Sequence, residues 1–215
     1  MNLKTNENGR SMIEMLGVLA IVGILSVGGI AGFNKAMTKH KLNQAIEEYN
    51  YILSVVEAEH DKFIKIPSER TDNIVYLANI LKAMGVVPNN MKITPGTTAH
   101  LYDVLGNMFY IRTMPPKIEF AMYLNAGKDG VFNTVNIAKE ICLPLYMNVL
   151  FPRAQNLYAT YLIMNQGSTT TKYVFYGEKS CSAKRKCIKN ITINEVLEMC
   201  NACENDKYCR IGAKW

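Results

Sequence analysis

The amino-acid sequence predicts an α+β protein. One long N-terminal helix, apolar all round and then one-sided, packs on a small antiparallel-sheet head with extra helices and a cysteine-rich tail. Three observations carry this. No charged side chain occurs from Met15 to Phe33, and beyond it Leu42, Ile46, Tyr49, Leu53, Val56 and Phe63 recur at helical steps. Two β-like runs, Asn107 to Met114 and Lys117 to Leu124, are joined by Pro115-Pro116. The cysteines Cys142, Cys181, Cys187, Cys200, Cys203 and Cys209 all lie well beyond the apolar run.

At about 1.5 Å per residue the uncharged run matches the hydrocarbon thickness of a bilayer. It is longer than a signal-peptide core, and no A-x-A-like cleavage site ends it. A retained membrane helix over residues 12–33 is therefore expected. Lys4 and Arg10 precede it while Lys35, Lys39 and Lys41 follow, so the positive-inside rule leaves its orientation open. Past Phe33, charged residues such as Lys41, Glu48 and Glu57 alternate with the apolar set. The helix should run over 10–66, where Pro67 ends it.

The helix is preceded by a short polar leader, residues 1–9, and opens on Gly9-Arg10-Ser11-Met12-Ile13-Glu14-Met15-Leu16. Glu14 is an acid at the start of a membrane helix, which costs roughly 2.5–3.5 kcal/mol without a partner. The stretch resembles the prepilin N-terminal motif of type IV pilins and type II secretion pseudopilins, where a glycine precedes the cleavage point and a glutamate occupies the fifth mature position. Gly9 and Glu14 match that spacing. The resemblance implies a pilin-like fold, cleavage after Gly9 by a prepilin peptidase, and N-methylation of the new terminus, Arg10. It further implies a single-pass inner-membrane precursor that an assembly platform adds to a pilus or pseudopilus filament of like subunits. In that family the glutamate attracts the terminal amine of a neighbour and sets the axial stagger. The family usually has phenylalanine where this chain has Arg10. Arg10 and Glu14, four apart, can also pair within one subunit, so a local salt bridge is the competing reading of Glu14. Gly17, Gly23, Gly28, Gly29 and Gly32 would let neighbouring helices approach closely. Many pilins carry a proline here; this chain has none before Pro67.

The head is expected over 67–180. A helix should cover Asp72 to Met84, with Gly85 as C-cap, followed by a loop over residues 89–100. Tyr102-Asp103-Val104-Leu105-Gly106-Asn107-Met108-Phe109-Tyr110 loosely resembles the D-x-W-G-N-x-x-Y turn of pilin heads, with Leu105 for the tryptophan. Asn125 to Gly130 reads as a turn, with too few acids for an EF-type calcium loop. Val135 to Met164 suits helix, interrupted near Pro144 and Pro152. A strand over Thr171 to Tyr176 and a short helix over Asn194 to Cys200 complete the prediction.

Residues 181–215 form the cysteine-rich tail. Five of the cysteines crowd it, in a pattern lacking the second Cys-x2-Cys that would make a zinc site. Disulfides in an oxidising compartment are favoured, with Cys142 tying its helix to the tail. Lys184-Arg185-Lys186 is either a solvated basic loop or a phosphate- or surface-binding patch. The formal charge of +6 is scattered and gives no reason to expect nucleic acid. His40, His60 and His100 form no single site, no catalytic motif occurs, and no cofactor or metal is expected. The sequence thus suggests a non-enzymatic filament subunit. A minor tip pilin acting as a binding module (adhesin or DNA contact) and a single-pass membrane sensor or enzyme are the alternatives.

Overall fold

The computed structural model of the protein describes residues 12–124, 137–166, 169–203 and 209–215. The leader with Gly9, Arg10 and the expected turn at Asn125 to Gly130 lie outside them. The chain divides into two units, one ending at His40 and one running Lys41–Trp215. Each is described by itself.

The first unit holds the start of helix α1 (Met12–Ala58). Every residue from Glu14 to His40 is exposed. The helix is long and apolar enough to cross a membrane.

In the second unit α1 buries one face: Ala45, Ile46, Tyr49, Ile52, Leu53 and Val56. It stops at Ala58, short of the expected Ile66. Glu59 (φ −102°, ψ 13°) leaves helical geometry, and a single turn, α2 (His60–Phe63), follows with Phe63 buried. The expected helix over 72–84 shrinks to α3 (Ala78–Ala83). Its first half is claimed by the sheet instead. The Thr113 N–H donates to Val75 O and the Leu77 N–H to Ile111 O, both at 2.8 Å. Ile74, Val75 and Tyr76 are residues that favour extended pairing over helix.

Strands β1 (Lys92–Ile93), β2 (Leu101–Tyr102), β3 (Met108–Met114) and β4 (Lys117–Tyr123) are antiparallel neighbours. The β3–β4 hairpin closes at Met114 opposite Lys117. Before β3 the chain turns around Asp103. Its Oδ1 accepts the Leu105 N–H at 2.9 Å and the Asn107 N–H at 2.7 Å. Its Oδ2 accepts the Asn107 side-chain amide at 2.6 Å and the Tyr49 hydroxyl of α1. Gly106, at φ 88°, supplies the left-handed residue that this turn requires.

Helix α4 (Ile137–Leu145) carries Pro144 and passes into a π turn, Tyr146–Leu150, then a 3-10 turn, Phe151–Arg153. The expected continuation of helix to Met164 is overturned. Strand β5 (Ala159–Gln166) begins there and pairs on both edges, with β6 (Thr169–Tyr176) and with β7. Tyr161-Leu162-Ile163-Met164 is apolar on both faces, so its period-two alternation does not register in the sequence. Helix α5 (Ile193–Ala202) starts at a reciprocal capping box: the Glu195 N–H donates to Thr192 Oγ1, and the Thr192 N–H to Glu195 Oε2. Strand β7 (Cys209–Lys214), which sequence reasoning did not find, sits between β4 and β5 in the order β1-β2-β3-β4-β7-β5-β6.

One hydrophobic cluster joins α1, α3, α4 and α5 to a single face of the sheet, through residues such as Tyr49, Leu81, Leu145, Val196, Phe120 and Ile211. Arg153 clamps α1 from the side. Its guanidinium donates to Asn50 Oδ1 at 2.5 Å and to Asn50 O at 3.0 Å, and lies 3.3 Å from Glu57, which also accepts the Trp215 indole N–H at 2.5 Å.

Three disulfides brace this unit. Cys142–Cys200 joins α4 to α5, Cys203–Cys209 joins the end of α5 to β7, and Cys181–Cys187 closes a hairpin beyond β6. The first spans 58 residues and the hairpin bond Cys181–Cys187 only 6. Chain-entropy reasoning gives about 4 kcal/mol for the long loop and about 2 kcal/mol for the short one. Urea unfolding should therefore show Cys142→Ala/Cys200→Ala to be the more destabilised pair variant. Equal midpoints for it and Cys181→Ala/Cys187→Ala would contradict this ranking.

Candidate functional site

The first locus is the start of α1. Glu14 lies in its first turn and is exposed, with Met15, Leu16, Val18 and Leu19 following it, also exposed. Large apolar side chains continue to Phe33 with exposures such as 74 % at Ile24 and 69 % at Leu25. A contiguous exposed apolar surface of this kind marks a site for a membrane or a partner. Two hydroxyls of this half of α1 turn inward on the helix itself. Ser26 Oγ donates to Val22 O at 2.7 Å, and Thr38 Oγ1 to Asn34 O at 3.0 Å. Each of these two hydroxyl protons thus has a partner within the helix, which is compatible with an apolar surrounding. Gly28 and Gly32 share one face, and a Cβ built on either meets nothing within 4 Å in this chain. A second helix could approach the backbone there. Glu14 therefore stands as the one acid at the head of an unpartnered apolar surface. Gly9 and Arg10, its expected companions, are outside the described residues.

The second locus is the sheet face turned away from the helices. Cross-strand register places Arg112, Glu119, Lys214, Ala159 and Tyr176 in one row, and Tyr110, Ala121, Gly212, Tyr161 and Val174 in the next. The second row has small residues between two tyrosines. A Cβ on Gly212 would lie 2.4 Å from Tyr161 ring atoms, so only glycine lets that ring lie down across the strand. Both tyrosines are buried in consequence and converge on Glu119, itself 2 % exposed. Glu119 accepts the Tyr161 hydroxyl at 2.7 Å and the Arg112 guanidinium at 2.6 Å, with Lys214 Nζ at 3.5 Å. Burial works to raise its pKa, but the Tyr161 hydrogen bond and the Arg112 and Lys214 charges outweigh it and hold the carboxyl below its ordinary value. Burial likewise pushes the Tyr161 hydroxyl well up, with the Glu119 charge adding to it.

Cations cover the rings on this face. The Arg112 guanidinium lies 5.0 Å from the Tyr110 centroid, Arg210 lies 5.6 Å from Tyr161, and Lys117 Nζ 3.5 Å from Tyr158. Sequence reasoning missed this face. The signal for it was the alternation Tyr110-x-Arg112 against Lys117-x-Glu119 in the hairpin.

The expected basic loop is a structured hairpin. Arg185 sits 5.2 Å over the Tyr176 ring, and Lys186 pairs with Glu195. Of the histidines, His100 packs against Tyr76 and Tyr110, each with centroids at 5.7 Å. Burial lowers its pKa. His40 is exposed on α1 and His60 begins α2. Among the described residues no group of three or more His, Cys, Asp or Glu is placed to hold a metal ion. Compared with known proteins, the chain matches no family model, no curated protein and no solved structure.

Because the folded Glu119 carboxyl titrates below its unfolded value of about 4.3, its contribution is complete above that pH and is lost as pH falls through the lower folded value. Glu119→Gln should cost about 3 kcal/mol at pH 7 by leaving Arg112 without its buried partner. It should also flatten the loss of stability as pH falls below about 4.3. Urea titrations across that range measure both effects, and an unchanged acid dependence would remove Glu119 as its source.

Proposed function

We propose that this chain is a structural subunit of an extracytoplasmic filament of the type IV pilus or type II secretion pseudopilus kind. In this reading the precursor spans the inner membrane once through the apolar part of α1. A prepilin peptidase removes residues 1–9 after Gly9, and the new terminus at Arg10 is methylated. An assembly platform then adds the subunit to a growing filament, where α1 exchanges lipid for the helices of its neighbours. The observation that carries the proposal is Glu14: an acid in the first turn of a 47-residue helix, heading a surface that is apolar and exposed on every side.

The physical logic is one of charge in a poor solvent. A carboxylate among lipid-facing residues is costly until a cation reaches it. A terminal amine of the next subunit can do so only at one axial offset, so the pairing sets the stagger. The low dielectric that makes the lone charge expensive makes the matched pair strong. The exposed Gly28–Gly32 face supports the same reading, since close helix approach needs small residues where packing replaces lipid.

Mass spectrometry of the protein recovered from its native membrane should find a chain beginning at Arg10 and carrying one N-methyl group. Gly9→Ala should leave the first nine residues in place. Glu14→Ala should still be cleaved and inserted but yield no filaments by electron microscopy. An intact N-terminus in the wild type, or normal filaments from Glu14→Ala, would sink the assignment.

A further inference from the structure

The three disulfides of the Lys41–Trp215 unit differ in what can reach them. We propose that Cys181–Cys187 is a thiol-exchange site: a dithiol carrier opens it in the folded protein and a carrier disulfide closes it again, while Cys142–Cys200 and Cys203–Cys209 stay shut. The inference concerns this unit alone and stands whether or not the chain enters a filament.

Access separates the three bonds. Cys142 and Cys203 have no exposed surface, and Cys200 and Cys209 are 1 % exposed. All four belong to the hydrophobic cluster between the helices and the sheet. The attacking species in exchange is a thiolate, and carrying that charge into apolar packing is costly. Those two bonds therefore open only when the unit itself opens. Cys181 and Cys187 are part-exposed, and the five residues between them are all exposed. The Cys181 sulfur lies 3.6 Å from Glu178 O in an exposed contact, so a thiolate meets it from water.

Both cysteines are also held in place without the bond. The turn before Cys181 is built on Gly177, whose carbonyl accepts the Ser180 and Cys181 N–H groups at 2.9 and 3.0 Å. Gly177 is pressed onto Leu157, where a Cβ would lie 1.7 Å from the carbonyl oxygen, so only glycine fits there. On the other side, Lys186 O accepts the Tyr176 N–H at 2.8 Å and Cys187 O accepts the Asn190 N–H at 3.1 Å. The next residue, Ile188, is buried. Each cysteine thus has its own backbone anchor, with the two Cα atoms 5.0 Å apart, inside the span a disulfide bridges. Opening the bond frees residues 182–186 and leaves the two thiols within reach of each other, which a reversible couple requires. The closed loop is short, with a separation of 6 residues, so opening it costs the fold little.

The exchange balances. The carrier's thiolate attacks one sulfur of the pair, forming a mixed disulfide and expelling the other cysteine as a thiolate. The carrier's second thiol, deprotonated in turn, attacks its own mixed-disulfide sulfur and displaces the first cysteine. The carrier leaves as a disulfide, and its two protons end on Cys181 and Cys187. Two electrons have passed from the carrier to the protein. In the reverse direction a disulfide reagent takes them back and the bond re-forms.

The test treats the full chain in non-ionic detergent with dithiothreitol, blocks free thiols with N-ethylmaleimide at successive times, and maps the label by peptide mass spectrometry. Cys181 and Cys187 should take up label together, about tenfold or more faster than the other four cysteines, with far-UV circular dichroism unchanged. Removing dithiothreitol and adding oxidised glutathione before the block should return both to the unlabelled state. The fast label should be missing from Cys181→Ala/Cys187→Ala. The proposal is overturned by label at Cys142, Cys200, Cys203 or Cys209 as early as at the hairpin, by no label until the dichroism is lost, or by an opened pair that oxidised glutathione does not close.

Discussion

The carboxylate of Asp103 is the point at which α1, the turn before β3 and the sheet are tied together. It is buried, and a buried charge persists only when its lone pairs are matched. Here the turn's own amides, the Asn107 side chain and the Tyr49 hydroxyl match them. The Tyr49 ring packs edge-on to Phe109 at 5.3 Å and against Phe120 at 6.1 Å. A single side chain therefore sets both the height of the helix over the sheet and the polar cap of the turn. On the other side of α1, Arg153 performs a similar service through Asn50 and Glu57. Between these two clamps the helix face has one seat.

What could be read from the sequence was whatever repeats locally. The apolar face of α1 was legible because Ile46, Tyr49, Leu53 and Val56 recur at 3.6-residue spacing, and all four are buried. The β3–β4 hairpin was legible because two β-like runs meet at Pro115-Pro116. The Asp103 turn was legible only through the loose resemblance of Asp103 to Tyr110 to the D-x-W-G-N-x-x-Y turn of pilin heads. What escaped was decided by partners distant in sequence. Ile74 to Tyr76 carry a helical pattern but are drawn to the edge of β3, and Ala159 to Met164 become strand because β6 and β7 flank them. Strand β7 itself contains a glycine and two cations, which argue against a central strand until Gly212 is seen beneath the Tyr161 ring.

Of the candidate site, Glu14 and its apolar run were evident in the sequence alone, since an uncharged run of that length stands out by composition. The tyrosine and cation rows were not. They come from β3, β4, β7, β5 and β6, and nothing in any one of those segments announces the others. Their chemistry exists only once the register is set, for a slip of one residue would turn Glu119 into the apolar core and Phe120 out of it.

The place of β7 has a consequence for the order of events during biogenesis. It follows every other described strand in sequence, yet it separates β4 from β5, so neither strand group has its neighbour until residues 209–214 arrive. A nascent chain emerging N-terminus first would complete its apolar helix long before the sheet could close. The globular part would have to wait, half-paired, until β7 is made. Helix formation is thus early and local while closure of the sheet is late and global, and the connectivity alone separates the two.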